Sequence, residues 1–285
     1  MTIAIIGATG QLGALAIDAL LDRGAPASDI LALGRNTDKL QAYADRGLRT
    51  ATLDLDDDVD ATAAQLDGVD KLLLISVGAP GQALGPRGNA IDAARKAGVG
   101  HLVYTSALQA PTTILGLAAE HKATEELVSA SGVPATFLRN GWYTENHAQE
   151  FTAAREHGVI ANSVADGRLA TATRKDYAEA AAAVLTGTGH EAQAYELSGD
   201  TAWTYADFAA TAQEVLDQPV TYQALTPEQE HEQLLGFGLD EPTAEFMVAL
   251  HGDMRQDALA PTPGDLARLI GHPTESLETT MRSWV

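Results

Sequence analysis

A doubly wound parallel α/β sheet with a smaller C-terminal lobe is the fold class this sequence predicts, on three observations. Residues Ile3 to Ile6 form a continuous apolar run, the pattern of a strand buried on both faces of a parallel sheet. The run enters glycines at 7, 10 and 13, and from the turn they make onward Leu12, Leu15, Ala16, Ala19 and Leu20 make one apolar stripe of an amphipathic helix. Four further apolar strands then alternate with helical stretches before residue 107.

The glycine turn carries the first chemical inference. Strand, glycine turn and helix N-terminus together make a phosphate cradle, because glycine allows a tight turn and close backbone approach while the helix offers free N–H groups. The spacing is Gly-x-x-Gly-x-x-Gly, and no Gly-Lys-Ser/Thr follows, so a triphosphate P-loop is not supported. The prediction is a Rossmann-like dinucleotide site.

The chain has 285 residues, with 18 Lys and Arg against 39 Asp and Glu, a formal charge of −21. Such a surface repels nucleic acid and anionic membranes. An anionic cofactor must therefore be met by local positive charge. Cysteine is absent, which removes thiol catalysis, thiolate metal sites and disulfides. The histidines show no His-x-His or His-x-x-x-His spacing, so no metal is expected. No apolar run reaches the roughly 20 residues that span a bilayer, and no leader precedes Ile3. A cytoplasmic protein is the expectation.

In chain order, the second strand (30–33) ends at Gly34-Arg35-Asn36. An Asp or Glu at that strand end suits the ribose of NAD, whereas an arginine suits a 2′-phosphate. Arg35 therefore favours NADP over NAD, with Asp38 the candidate for the rival reading. The third strand (49–53) closes with Asp54, a weak candidate for the adenine amino group; Asp56, Asp57 and Asp58 read as a solvated, helix-capping turn. Strand four runs from Lys71 to Ser76, its carboxyl end beside the cofactor crevice. The segment 77–88, rich in Gly and Pro, reads as a connector or lid before a helix from Asn89 to Ala97. His101 to Ser106 form the fifth strand and Ala135 to Leu138 the sixth.

The sequence resembles the NmrA-like branch of atypical short-chain dehydrogenase/reductases, which contains type 2 NAD(P)H:quinone oxidoreductases and triphenylmethane reductases. The likeness spans essentially the whole chain and is nearest to the quinone reductases. It rests on Gly-Ala-Thr-Gly-Gln-Leu-Gly (7–13), Leu-Leu-Leu-Ile-Ser (72–76), Tyr-Thr-Ser (104–106), Glu-His (120–121), Leu-Arg-Asn-Gly-Trp-Tyr-Thr-Glu-Asn (138–146), Ala-Thr-Arg-Lys-Asp-Tyr (172–177) and Leu-Ile-Gly-His-Pro (269–273). The resemblance implies pyrophosphate binding at Gly7, Ala8, Thr9, Gly10, Gln11 and Leu12, and 2′-phosphate binding at Arg35. It places the nicotinamide and substrate side at Asn140, Gly141, Trp142, Tyr143, Thr144 and Glu145. With Asp54, Ile75, Ser76, Val77, Thr105 and Ser106 at the strand ends, these are the cofactor-binding candidates.

The chain departs from the larger superfamily after the fifth strand. Where short-chain dehydrogenases carry Tyr-x-x-x-Lys, this sequence reads Leu117-Ala118-Ala119-Glu120-His121. Ketone reduction needs a positioned acid, whereas a reduced quinone is phenol-like, with a pKa of roughly 10, and water can protonate it. The site suits quinones, cationic dyes and other conjugated acceptors. His121, Asn140 and Tyr143 are the catalytic candidates. His121 could orient substrate or relay a proton, or simply pair with Glu125 one helical turn on. Asn140 offers a donor and an acceptor to a carboxamide. Trp142 and Tyr143 are either core aromatics or flat faces for a planar ring, with Tyr143 favoured for the pocket.

The remainder divides into returning segments and a lobe. The domains expected are residues 1–150 with returns at about 166–200, and a mostly helical lobe at 201–285. Within it, Thr204 and Thr226-Pro227 read as helix starts, and Phe237, Phe246, Met247 and Leu250 as core more than lining. The reading is an NADPH-dependent quinone reductase without flavin. Its alternatives are a dinucleotide-binding redox sensor without turnover and a reductase of triarylmethane dyes. The partner expected is a quinone-like small molecule, and a homodimer stays open.

Overall fold

The computed structural model describes residues 1–56, 58–76, 78 and 81–285. Its first half alternates β1 (Ile3–Ile6), α1 (Gln11–Asp22), β2 (Ile30–Gly34), α2 (Thr37–Asp45), β3 (Arg49–Thr52), α3 (Val59–Gln65), β4 (Lys71–Leu74), α4 (Leu84–Ala97), β5 (His101–Ala107), α5 (Ala118–Ser131) and β6 (Ala135–Asn140). The second half holds α6 (Ala148–His157), β7 (Val159–Asn162), β8 (Arg168–Leu169), α7 (Arg174–Thr186), β9 (Ala194–Leu197), β10 (Trp203–Thr204) and α8 (Tyr205–Leu216). Then follow β11 (Thr221–Ala224), α9 (Pro227–Gly236), α10 (Glu241–Arg255), α11 (Asp265–Ile270) and α12 (Leu277–Arg282). No helix among the described residues is long and apolar enough to cross a membrane.

Seven strands form one sheet in the order β3-β2-β1-β4-β5-β6-β9, and every pairing in it is parallel. The chain winds outward from β1 in one direction and from β4 in the other, so the crevice between them lies at the carboxyl ends of the strands. Alternation along each strand fills two layers. Ile3, Ile5, Ala32, Leu73 and Val103 face α1 and α7, while Ala4, Ile6, Leu33, Leu72 and Leu102 face α4 and α5. The anticipated stripe of α1 is buried at Leu12, Ala16, Ala19 and Leu20, with Ile17 added. Burying Ile17 and Leu20 contributes about 1.5–3 kcal/mol each. The facing surface of α7 is nearly all alanine, which lets the two helices approach closely, and its start is fixed by a capping box between Thr173 and Asp176.

A second core gathers Phe151, Ile160, Leu169, Trp203, Tyr205, Phe208 and Met254. It therefore draws on residues before 166 as well as after 200, while Leu266 and Ile270 of α11 return to the first core against α7 and β9. β7 and β11, far apart in sequence, pair in parallel inside the lobe.

The segment read as a connector is shorter than expected. Residues 84–88 belong to α4, whose first turn holds Pro86, where a missing N–H breaks no helical bond. Val77, Ala79 and Pro80 from that segment, and Asp57, lie outside the described residues. Asp58 caps α3, accepting from the N–H groups of Asp60 and Ala61, as its acidic turn suggested.

Candidate functional site

Two cavities adjoin at the carboxyl edge of the sheet, with Gly78 lining both. The first, of about 290 Å³, is bounded by Gly7, Thr9 and Gly10 of the glycine turn, by Gly34 and Arg35 after β2, and by Asp54 after β3. The turn is built for backbone exposure. Gly7 has φ +90°, a conformation costly for residues with a Cβ. A Cβ on Gly13 would run into the Gly7 carbonyl and lie 2.7 Å from Ala8 Cα; one on Gly34 would lie 2.7 Å from Thr9 Oγ1. The first helical bond of α1 runs from Ala14 N–H to the Gly10 carbonyl, and no side chain caps the helix. The N–H groups of Gln11, Leu12 and Gly13 thus stand ahead of the ladder, where a pyrophosphate would be held. Ala8 and Leu12 themselves point into the core, and the Ala8 carbonyl takes the Tyr43 hydroxyl at 3.1 Å. These residues fit a dinucleotide through backbone, not side chains.

This end carries cations beside the carboxylates of Asp54 and Asp56, which also line the cavity. Arg35 is exposed at the cavity edge, and the Lys39 ammonium donates to the Thr9 carbonyl at 2.8 Å. Lys39 was not among the sequence candidates; its position in the first turn of the helix following Arg35 was the available signal. Asp38 does not line the cavity, whereas Asp54 does.

The second cavity, of about 670 Å³, is lined by Ser76, Arg87, Glu120, His121, Trp142 and Tyr143 on the sheet side, and by Phe246, Leu250 and Asp253 of α10 on the lobe side. Ser76 is held there by Thr105, whose hydroxyl accepts the Ser76 N–H at 2.8 Å and lies 3.3 Å from its Oγ. Ile75 extends the β1–β4 ladder through its N–H to the Ile6 carbonyl. Both therefore serve the site by placement.

His121 faces this cavity with its Nδ1 3.1 Å from the buried Tyr104 hydroxyl. Burial first, and the nearby Arg87 cation second, push its pKa down to about 4, so the imidazole is neutral at physiological pH. The alternative pairing with Glu125 is not formed. Glu125 instead holds Arg139 through two bonds of 2.9 and 2.7 Å and accepts the Ser106 hydroxyl at 2.6 Å.

Tyr143 is clamped on several sides. The Arg174 guanidinium lies 4.5 Å from its ring centroid, and Tyr177 meets it edge-on at 5.3 Å. Burial raises the Tyr143 pKa, so it remains a neutral phenol and a hydrogen-bond donor. Asn140 Oδ1 is buried without a partner among the described residues. Such an orphaned acceptor is expensive to leave bare. Gly141 keeps the chain close to β9, its N–H on the Leu197 carbonyl at 2.7 Å.

Three sequence candidates stand apart. Ser106 projects to the opposite face of β5, onto Glu125, because strand neighbours alternate. Thr144 is buried with its hydroxyl on Thr171 at 3.0 Å. Glu145 accepts the Arg174 N–H at 2.9 Å and braces the arginine that stacks on Tyr143. None of the three lines either cavity, and neither do Thr105, Asn140 and Gly141, which stand behind the lining. Val77 is outside the described residues. Conversely, Phe246 and Leu250 are lining rather than core alone, and with Asp253 they recur at i, i+4 and i+7 on one helix face. That spacing was legible; what it faced was not.

A sequence family described as NAD(P)H-binding matches residues 7–188. The chain belongs to the NAD(P)H-binding family. Within that family it is 44% identical to quinone oxidoreductase 2 of Escherichia coli (strain K12), over 96% of each chain. Its fold is similar to the E. coli NADPH-dependent quinone oxidoreductase complexed with NADPH, at TM-score 0.95 and 42% identity over 99% of each chain. It is also similar to the Citrobacter sp. triphenylmethane reductase complexed with NADP(H), at TM-score 0.94 and 35% identity over the whole of both chains. The NAD(P)H-binding assignment agrees with a glycine turn that a Cβ would fill.

Proposed function

We propose that this chain is an NADPH-dependent reductase that delivers hydride to a quinone or a similar conjugated acceptor. The observation that carries the proposal is the abutment of two cavities at Gly78, one a glycine cradle with Arg35, the other lined by flat aromatic rings. Bound NADPH would supply the hydride. The N–H groups of Gln11, Leu12 and Gly13 hold its pyrophosphate, Arg35 and Lys39 meet its 2′-phosphate, and Asn140 orients the carboxamide.

Trp142, Tyr143 and Phe246 offer faces to a planar acceptor, which is thereby stacked and shielded from water. The Tyr143 hydroxyl and the neutral His121 can donate to an acceptor oxygen as negative charge grows on it. No Tyr-x-x-x-Lys pair stands here, and a phenol-like product with a pKa of roughly 10 takes its proton from water. The likeness to a triphenylmethane reductase favours cationic dyes as a second acceptor class for the same pocket. The sensor alternative shares the cradle but predicts no turnover.

The test is the absorbance decay of the reduced nicotinamide with and without a simple quinone, using NADPH and NADH in parallel, on the natural protein and Arg35→Ala. Quinone-dependent decay that prefers NADPH is expected. Loss of one charge-assisted phosphate contact should raise the KM for NADPH roughly tenfold or more while barely moving that for NADH. Tight NADPH binding with no decay against any quinone or dye would replace this reading with the sensor. Equal effects on both cofactors would remove Arg35 from the phosphate.

A further inference from the structure

The acceptor cavity has a sign. Alongside Trp142, Tyr143 and Phe246 it carries two carboxylates, Glu120 and Asp253, against one guanidinium, Arg87. His121 is neutral there and does not offset them. The carboxylates come from opposite walls, Glu120 from the first turn of α5 and Asp253 from the last turns of α10. Backbone donors hold both in place: Gly116 N–H reaches Asp253 Oδ2 at 2.8 Å and Ala83 N–H reaches Glu120 Oε1 at 3.4 Å. Neither carboxylate forms an ion pair with a Lys, Arg or His among the described residues. Arg87 is 4% exposed and lines the cavity with them, so it offsets one of the two carboxylates and leaves the other in excess. The overall charge of −21 adds to the same field.

We propose that Asp253 and Glu120 select acceptors by charge, admitting neutral and cationic planar molecules to this cavity and turning anionic ones away. The inference rests on the reductase reading of the same site. It makes the lobe helix α10, and not only the sheet edge, a determinant of specificity. A sulfonate or carboxylate on the acceptor would have to sit near two fixed like charges in a partly dehydrated space, where repulsion is far stronger than in bulk water. A cationic aromatic ring finds both the carboxylates and the ring faces favourable.

The experiment compares 2-methyl-1,4-naphthoquinone with 1,4-naphthoquinone-2-sulfonate as acceptors for NADPH, in the natural protein, Asp253→Asn and Glu120→Gln. Both substitutions keep size and an acceptor oxygen. The sulfonated quinone is intrinsically the stronger oxidant, so the quantity read is the change in the ratio of the two kcat/KM values from protein to protein. Removing one like charge should shift that ratio toward the sulfonate by roughly tenfold, through its KM, with kcat little changed. An unchanged ratio in both variants would overturn the proposal. NADPH affinity, read at the neighbouring cavity, verifies that each variant is folded. If neither quinone is turned over by the natural protein, the reductase reading falls. The two quinones' dissociation constants, from quenching of tryptophan fluorescence, then decide charge selection by the same ratio.

Discussion

Tyr143 and His121 illustrate how single residues gain a function from what surrounds them. A cation 4.5 Å from the Tyr143 ring and the edge of Tyr177 fix its plane. A ring held this way behaves as a wall, and a cation on its face contributes about 0.5–2 kcal/mol. His121 is set by desolvation. Its folded pKa of about 4 lies below the ordinary 6.5, so between those values the unfolded chain binds the proton and the folded chain does not. Its contribution to stability is full above pH 6.5 and is lost as pH falls toward and through 4. His121→Gln should therefore flatten part of the acid limb in a plot of Tm against pH from 7 to 4, with little change in that plot's slope above 7. An unaltered acid limb would mean that His121 is not desolvated as described. His101 and His190 are also shifted down by burial and share this window, which is why the comparison is between the two proteins.

At the scale of elements, the glycine turn and α1 act as one part. Gly13 has no room for a side chain because the strand-to-helix turn folds directly over it. Gly13→Ala should cost about 1–3 kcal/mol in chemical denaturation, with NADPH affinity falling alongside as the turn shifts. A variant of natural stability and affinity would show that the turn has slack. This part was legible in the sequence because everything that defines it is local: a four-residue apolar run, three spaced glycines and a helical stripe. The start of α4 was not, since Gly85 and Pro86 signal a loop unless one knows they occupy a first helical turn. β7 and β8 were not visible either. Each is short, and β7 finds its partner only in β11, about 60 residues later. Side-chain direction was the other limit. Thr105 and Ser106 are neighbours on β5, yet one supports the site and the other lies behind the sheet.

Across the whole molecule, the partly buried Arg139 ties the sheet to a helix and to its last strand. Its guanidinium bonds Glu125 of α5 and, at 2.8 Å, Glu196 of β9, and these carboxylates raise its already high pKa. Arg139→Ala would leave two partly buried acids without their cation and should destabilise by about 3–5 kcal/mol, read as a lower denaturation midpoint at neutral pH. A loss below 1 kcal/mol would reduce the network to surface decoration. The doubly wound class and a cofactor crevice at the carboxyl ends of the strands could be anticipated from the sequence, because such a sheet dictates where its crevice falls. The lobe's contribution could not, because α10 meets His121 only through packing of the second core. That core also has a consequence for how the protein is made. The chain shuttles between the two cores, so α7 waits for α11, whose Leu266 and Ile270 cover it late in the sequence. During synthesis from the N-terminus the first core stays partly bare until α11 has emerged. Its apolar helix face is then the surface most in need of a chaperone, and α11 acts as the clasp that ends that exposure.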